Sequence, residues 1–146
     1  MTTKTRMNIS LKSINASLYE GAACIMTILF VYTAVSKVND WSNTRNALYN
    51  QGLPTWLTEL LLYGLPLVEV LIAVVLLIPT IRRIGFILGT GLMLVFTGYV
   101  AWIWLGFTAH VPCSCGGVLN GLGWGEHLVF NLLFLGIAGY GWWAGK

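Results

Sequence analysis

Four long apolar runs organise the chain: Leu18 to Val35, Leu60 to Ile78, Ile84 to Phe107 and Leu128 to Ala144. Each falls within the roughly 17 to 25 mostly apolar residues that an α-helix uses to cross a bilayer. The runs are continuous and do not alternate with polar residues, so a membrane β-barrel does not fit them. In lipid every backbone polar group needs a partner inside the protein, which a helix supplies from its own chain. The second and third runs are separated only by Pro79-Thr80-Ile81-Arg82-Arg83, short enough to impose an antiparallel hairpin. The pattern predicts an all-α membrane protein, a four-transmembrane-helix antiparallel bundle whose residues 1–146 form a single integral membrane domain in contact with a lipid bilayer.

The stretch from Lys37 to Leu57 is too long for a turn. Asp40 is placed to cap a short helix, and Trp41, Arg45 and Leu48 or Tyr49 recur at helical spacing on one side. Gly52 would end this helix, with Pro54 just beyond it. It reads as a short interfacial helix in the first outer loop, lying on the membrane surface or lidding the bundle, or as a connector anchored by its Trp. In the third run, Gly85 and Gly89 stand four apart, with Gly91 and Gly98 further on. Small residues at such spacing let helices approach closely in lipid, either within the bundle or across a dimer face.

Composition narrows the functional classes. Hydrophobic residues make up 57% of the chain and charged ones 9%, against about 25% charged in soluble domains. The net charge of +3 is spread over scattered Lys and Arg, without the basic stripe of a nucleic-acid-binding protein. Charge placement sets an orientation. Lys4, Arg6, Lys12, Arg82, Arg83 and Lys146 fall on one side of a four-span protein, whereas the other side holds Lys37 and Arg45. Both termini are therefore expected in the cytoplasm. Trp41, Trp56, Trp102, Trp104 and Trp124 then form an outer aromatic belt, and Trp142 and Trp143 an inner one. The basic front and apolar middle of the first run resemble a signal peptide. Its long basic region, Glu20 and the lack of a small-x-small cleavage site instead predict a retained helix.

The segment with the most chemistry is His110-Val111-Pro112-Cys113-Ser114-Cys115-Gly116-Gly117, in the outward loop between the third and fourth spans. Outside the cytoplasm thiols tend towards disulfides, so Cys113 and Cys115 are candidates for a redox pair. A bridge between them closes almost no loop and gains little of the usual stabilisation; strained, exposed disulfides are the labile or catalytic ones. Two alternatives stand beside this reading. The cysteines could be unlinked packing residues, or they could bind a soft metal such as copper, zinc or mercury with His110 or His127. Cys24, inside the first span, reads as a small packing residue.

Other polar positions are candidates for supporting roles. Glu69 is an ionisable residue near the middle of the second span, a costly placement that calls for a partner. It could hydrogen-bond a carbonyl freed by Pro66 or a polar group on a neighbouring helix, relay protons, or orient a quinone headgroup. Glu20 and Lys37 read as residues near span ends that snorkel or anchor. Glu126 suits a helix N-terminus, and His127 next to it could lower the pKa of a nearby thiol. Asn131, one turn on, is placed to hydrogen-bond His127.

These residues carry a family resemblance. Ser36-Lys37, Asp40-Trp41, Gly52-Leu53-Pro54, Leu65-Pro66-Leu67-Val68-Glu69, Pro79 to Arg83 and Val111 to Gly117 together resemble DoxX-like membrane proteins, and within them the MauE group of methylamine utilisation. The resemblance spans about Tyr32 to Asn131, with the cysteine motif its most specific part. It implies a four-helix bundle in the bacterial inner membrane, tied to periplasmic thiol redox chemistry and disulfide formation in a secreted dehydrogenase subunit. A thioredoxin-like periplasmic protein or other membrane subunits are the implied partners. The chain is also similar to vitamin K epoxide reductase-type enzymes, which pass electrons from thiols to quinone. It departs from them in having CxC and one further cysteine, so a two-pair relay within the chain is excluded. The resulting expectation is a thiol–disulfide oxidoreductase or redox adaptor, with a quinone as a conceivable cofactor; a metal-binding protein and a non-catalytic subunit of a larger complex are the alternatives.

Overall fold

The computed structural model describes residues 2–107 and 123–145, with side chains from residue 14 onward. Five helices follow one another: α1 (Thr2–Asn39), α2 (Trp41–Tyr49), α3 (Thr55–Leu77), α4 (Arg82–Trp104) and α5 (Trp124–Ala144), with no strand among the described residues. Four of them are long and apolar enough to cross a bilayer, the first over Ile14–Asn39. The chain is thus a multi-pass membrane protein of the expected class. Its helices exceed the apolar runs at several ends, because polar residues continue a helix once it has been nucleated.

The long helices form a ring in which α1 packs on α3 and α5, and α4 packs on α3 and α5, while α1 and α4 meet only weakly across it. Each neighbour runs antiparallel. One end of the bundle therefore carries the C-terminus of α1, all of α2, the N-terminus of α3, the C-terminus of α4 and the start of α5. The opposite end carries Arg82 and the C-terminus of α5. The core is centred on Met26, Phe30, Ile72, Leu76, Phe86, Met93 and Ala138. Ile28, Leu60, Val95 and Val129 point outward and are largely exposed, a surface suited to lipid tails.

Glycines set the closest approaches. A Cβ on Gly141 would stand 2.1 Å from Phe86 Cε1, and one on Gly85 would meet Leu76 Cγ at 2.9 Å. Gly89 faces Phe30 at 3.2 Å, whereas Gly91 and Gly98 face open space. The Gly85/Gly89 spacing thus serves packing within the bundle.

Helix α2 differs from its sequence reading in detail. Asp40 occupies the N-cap position without a side-chain cap bond; instead its carboxylate accepts from Asn43 Nδ2 at 2.9 and 3.1 Å. The inward side is built on Thr44 and Ala47, which are buried, together with Trp41, whose ring lies 5.1 Å from that of Tyr63 on α3. Arg45 and Tyr49 are exposed and pair with each other, guanidinium over ring at 5.5 Å. Trp41, Arg45 and Tyr49, four residues apart, share one side as expected, while the side that is buried is that of Thr44 and Ala47 next to it. The helix ends at Tyr49, three residues before Gly52, whose φ of +68° reverses the chain at the left-handed conformation that glycine tolerates.

Glu20 stays 60% exposed near the end of its span, as read from sequence, and is paired there with Arg82. Arg82 is buried, its Nε donates to the Leu76 carbonyl at 2.8 Å, and its Nη1 donates to Glu20. Its guanidinium lies 5.8 Å from the Tyr19 ring. This fastens α1 to the α3–α4 hairpin, because an arginine drawn into apolar surroundings needs its donors engaged.

Candidate functional site

Among the described residues the deepest charged group is Glu69, whose side chain is 1% exposed. Its Oε1 accepts from Lys37 Nζ at 2.7 Å, tying α3 to α1. Lys37 stands two residues from the end of α1, but a helical side chain leans back towards its own N-terminus, which brings the ammonium down beside Thr33. Nζ is 3.5 Å from the Thr33 carbonyl and 5.9 Å from the centre of the Phe96 ring on α4. Of the arrangements open to Glu69, the one realised is a polar partner on a neighbouring helix. Lys37, read from sequence as an anchor at the surface, turns inward. The signal for this pairing was present: an intramembrane acid needs a cation, and the adjacent span supplies one.

At the start of α5, Glu126 accepts through Oε2 from the Gly123 backbone N–H at 3.0 Å. Its carboxylate thus holds the helix N-terminus, as the sequence predicted. His127 stacks nearly parallel on Trp124, with ring centroids 6.5 Å apart. Asn131 is buried at 6% exposure. No hydrogen bond joins it to His127 among the described residues, because His127 is drawn to Trp124 on its own first turn.

Cys113, Cys115 and His110 lie outside the described residues, so the redox pair and three of the four residues suggested for a soft metal have no geometry here. The fourth, His127, belongs to no cluster of potential metal ligands among the described residues. Phe107 and Gly123, which bracket the cysteine segment, both lie at the end of the bundle that carries α2, close to Trp104 and Trp124. Cys24 is a free thiol on the exposed side of α1. The expected packing role is corrected: the rotation of α1 that buries Ala22, Ala23 and Met26 turns Cys24 towards lipid. Cys24→Ala is accordingly expected to change stability by less than about 0.5 kcal/mol, which thermal unfolding in detergent will read.

The family described as methylamine utilisation protein MauE matches residues 15–144. The chain belongs to the MauE family. No curated protein and no solved structure matches it. The matched region contains all four spans, the Lys37–Glu69 pair and the cysteine motif. Within it, two of the segments on which the sequence resemblance rests, Ser36-Lys37 and Leu65 to Glu69, are joined by the buried ion pair.

Proposed function

We propose that this MauE-family protein is a thiol–disulfide redox protein of the bacterial inner membrane, exchanging disulfides with a partner through Cys113 and Cys115 on the periplasmic side. The observation that carries the reading is the Cys113-Ser114-Cys115 motif, bracketed by Pro112 and Gly116-Gly117 in the segment that leaves α4 and enters α5. Membership of a methylamine-utilisation family supports it. The side assignment is supported by Arg82, Arg83 and the basic N-terminal tail gathering at the opposite end, with both termini cytoplasmic under the positive-inside rule.

In the reaction, a partner thiolate attacks one sulfur of the Cys113–Cys115 disulfide. A mixed disulfide forms and the other cysteine leaves as a thiolate. The partner's second thiolate then displaces the first cysteine, so the partner becomes oxidised and the pair is left reduced. Reoxidation passes two electrons and two protons to a quinone or to the disulfide of a thioredoxin-like protein. The small ring favours this direction, since a strained bridge is an oxidising one. His127, at the first turn of α5, stands where the cysteine segment returns to the bundle, and its imidazole or the helix N-terminus would favour the thiolate form.

Single serine variants test this. One of Cys113→Ser and Cys115→Ser is expected to accumulate a mixed disulfide with a periplasmic protein, visible as a reductant-sensitive band on non-reducing gels. Full function in both variants, with no such band from either, contradicts the proposal.

A further inference from the structure

Helix α1 carries an outward apolar stripe that the bundle leaves uncovered. Ile14, Leu18, Ile25, Ile28, Tyr32 and Val35 are 45–68% exposed. Gly21 falls in the same row, where a Cβ would meet nothing within 4 Å. The spacing alternates between four and three, which is the seam of a paired helix. The sequence carries it back through Leu11 to Met7, about four heptads in all, long enough for a coiled coil. By sequence register Arg6, Lys12 and Glu20 fall off the seam, and Lys4 ends it. The positions beside the seam at this end are Asn8, Ser10, Asn15 and Ser17, all uncharged.

Lipid accounts for only part of this stripe. Glu20 is exposed and paired with Arg82, which marks the edge of the apolar zone, because an exposed carboxylate stays out of hydrocarbon. From Glu20 to Asn39 the helix rises about 28 Å, enough to fill the roughly 30 Å hydrocarbon core. Ile14 therefore stands about 9 Å beyond that edge. The other described helices stop short of it: Gly145, just past the end of α5, lies against Tyr19. Ile14, Asn15, Ala16, Ser17 and Leu18 are each exposed, so this stretch has no neighbour within the chain. The outward stripe of α4, from Ile84 to Trp102, has similar spacing, but it starts and ends inside the apolar zone, where lipid covers it. Only the α1 seam runs on into water among the described helices.

We propose that α1 pairs along this seam with α1 of a second copy of this chain, forming a parallel dimer with two-fold symmetry. Copies in one membrane share an orientation, so two identical helices lying side by side are parallel, and each seam residue meets its own counterpart. The stripe is thus its own complement in length and register. Like charges at the flanking positions would hold two identical helices apart; the Asn and Ser found there do not, and they can hydrogen-bond across the pair. Gly21 admits the close approach at the lipid boundary. The pairing is independent of the cysteine chemistry.

The test places single cysteines in the full chain carrying Cys24→Ala, Cys113→Ser and Cys115→Ser. Isolated membranes are oxidised with copper phenanthroline and run on non-reducing gels. Ile14→Cys and Leu18→Cys are expected to join two chains into a species of twice 16.1 kDa. Ala16→Cys, off the seam, is expected to join about tenfold less. Adding Ile14→Glu to Leu18→Cys sets two carboxylates against each other in the seam and is expected to cut joining about tenfold, whereas Ala16→Glu leaves it unchanged. These residues lie outside the bundle packing, so the fold is not at stake. Equal joining at all three positions, joining at none, or joining that Ile14→Glu does not reduce overturns the proposal. So does a cross-linked band of another mass in place of the double one, which would mark a different protein as the occupant.

Discussion

Lys37→Met is expected to destabilise the protein severely, by about 3–5 kcal/mol, the cost of leaving a buried charge without its partner. Glu69 is 1% exposed and holds one of its oxygens against Lys37 at 2.7 Å, so no water-exposed rotamer is at hand to relieve it. The double variant Lys37→Met/Glu69→Leu removes both charges and fills similar volume. It is expected to recover most of the loss, because replacing a buried pair by apolar residues is often neutral or stabilising. Denaturant unfolding of the four proteins of this cycle in one detergent measures the coupling. A single variant as stable as the parent would mean that the pair does not join α1 to α3.

Gly141→Ala is the second large effect. Its new Cβ would stand 2.1, 2.3 and 2.4 Å from three atoms of the Phe86 ring, separations that no side chain sustains. Phe86 is 1% exposed and also lies against Tyr19, with ring centroids 5.3 Å apart, so it has little room to yield. Overpacking of this kind costs about 1–3 kcal/mol and occasionally more; a loss at the upper end is expected, with α5 shifted away from α4. Phe86→Leu in the same chain is expected to restore part of it. Gly91→Ala and Gly98→Ala, where a Cβ meets nothing within 4 Å, serve as controls and are expected to be neutral. Equal effects at all three glycines would contradict the packing assigned to Gly141.

The spans were legible because continuous apolar runs in lipid admit one solution, and the Pro79–Arg83 turn gave the hairpin its sense. The short helix after the first span was legible from Trp41 to Tyr49 as an element, but not in its rotation. Periodicity put Trp41, Arg45 and Tyr49 on one side, but not that the neighbouring side of Thr44 and Ala47, small enough to sit under the adjacent helices, is the buried one. The same limit applies to Cys24: hydropathy gives depth in a bilayer, not which side of a helix meets lipid. That Glu69 needs a partner was legible, but the pairing of Glu20 with Arg82 and of Glu69 with Lys37 was not, for a related reason. Each depends on a long side chain reaching along the helix axis, so residues that look one or two turns apart in depth meet. Glu126 could be read correctly because its partner, the Gly123 N–H, is three residues away in sequence.

The buried polar residues were legible only one at a time. Glu69 and Asn131 were both singled out from sequence, one for its cost in lipid and the other as a partner for His127. The depth of Asn131 follows from the contacts of Gly125 with Trp104 and of Gly141 with Phe86, which fix the register of α5 on α4. This register gives Asn131 a place in the bundle interior.

Thiol labelling of intact cells addresses the redox proposal most directly. In a Cys24→Ala background, a membrane-impermeant maleimide reads Cys113 and Cys115 by mass, before and after treatment with reductant. Two labels are expected after reduction and none before it. Two labels without reductant, or labelling only once the cells are permeabilised, would contradict a periplasmic sulfur pair that forms and breaks a disulfide.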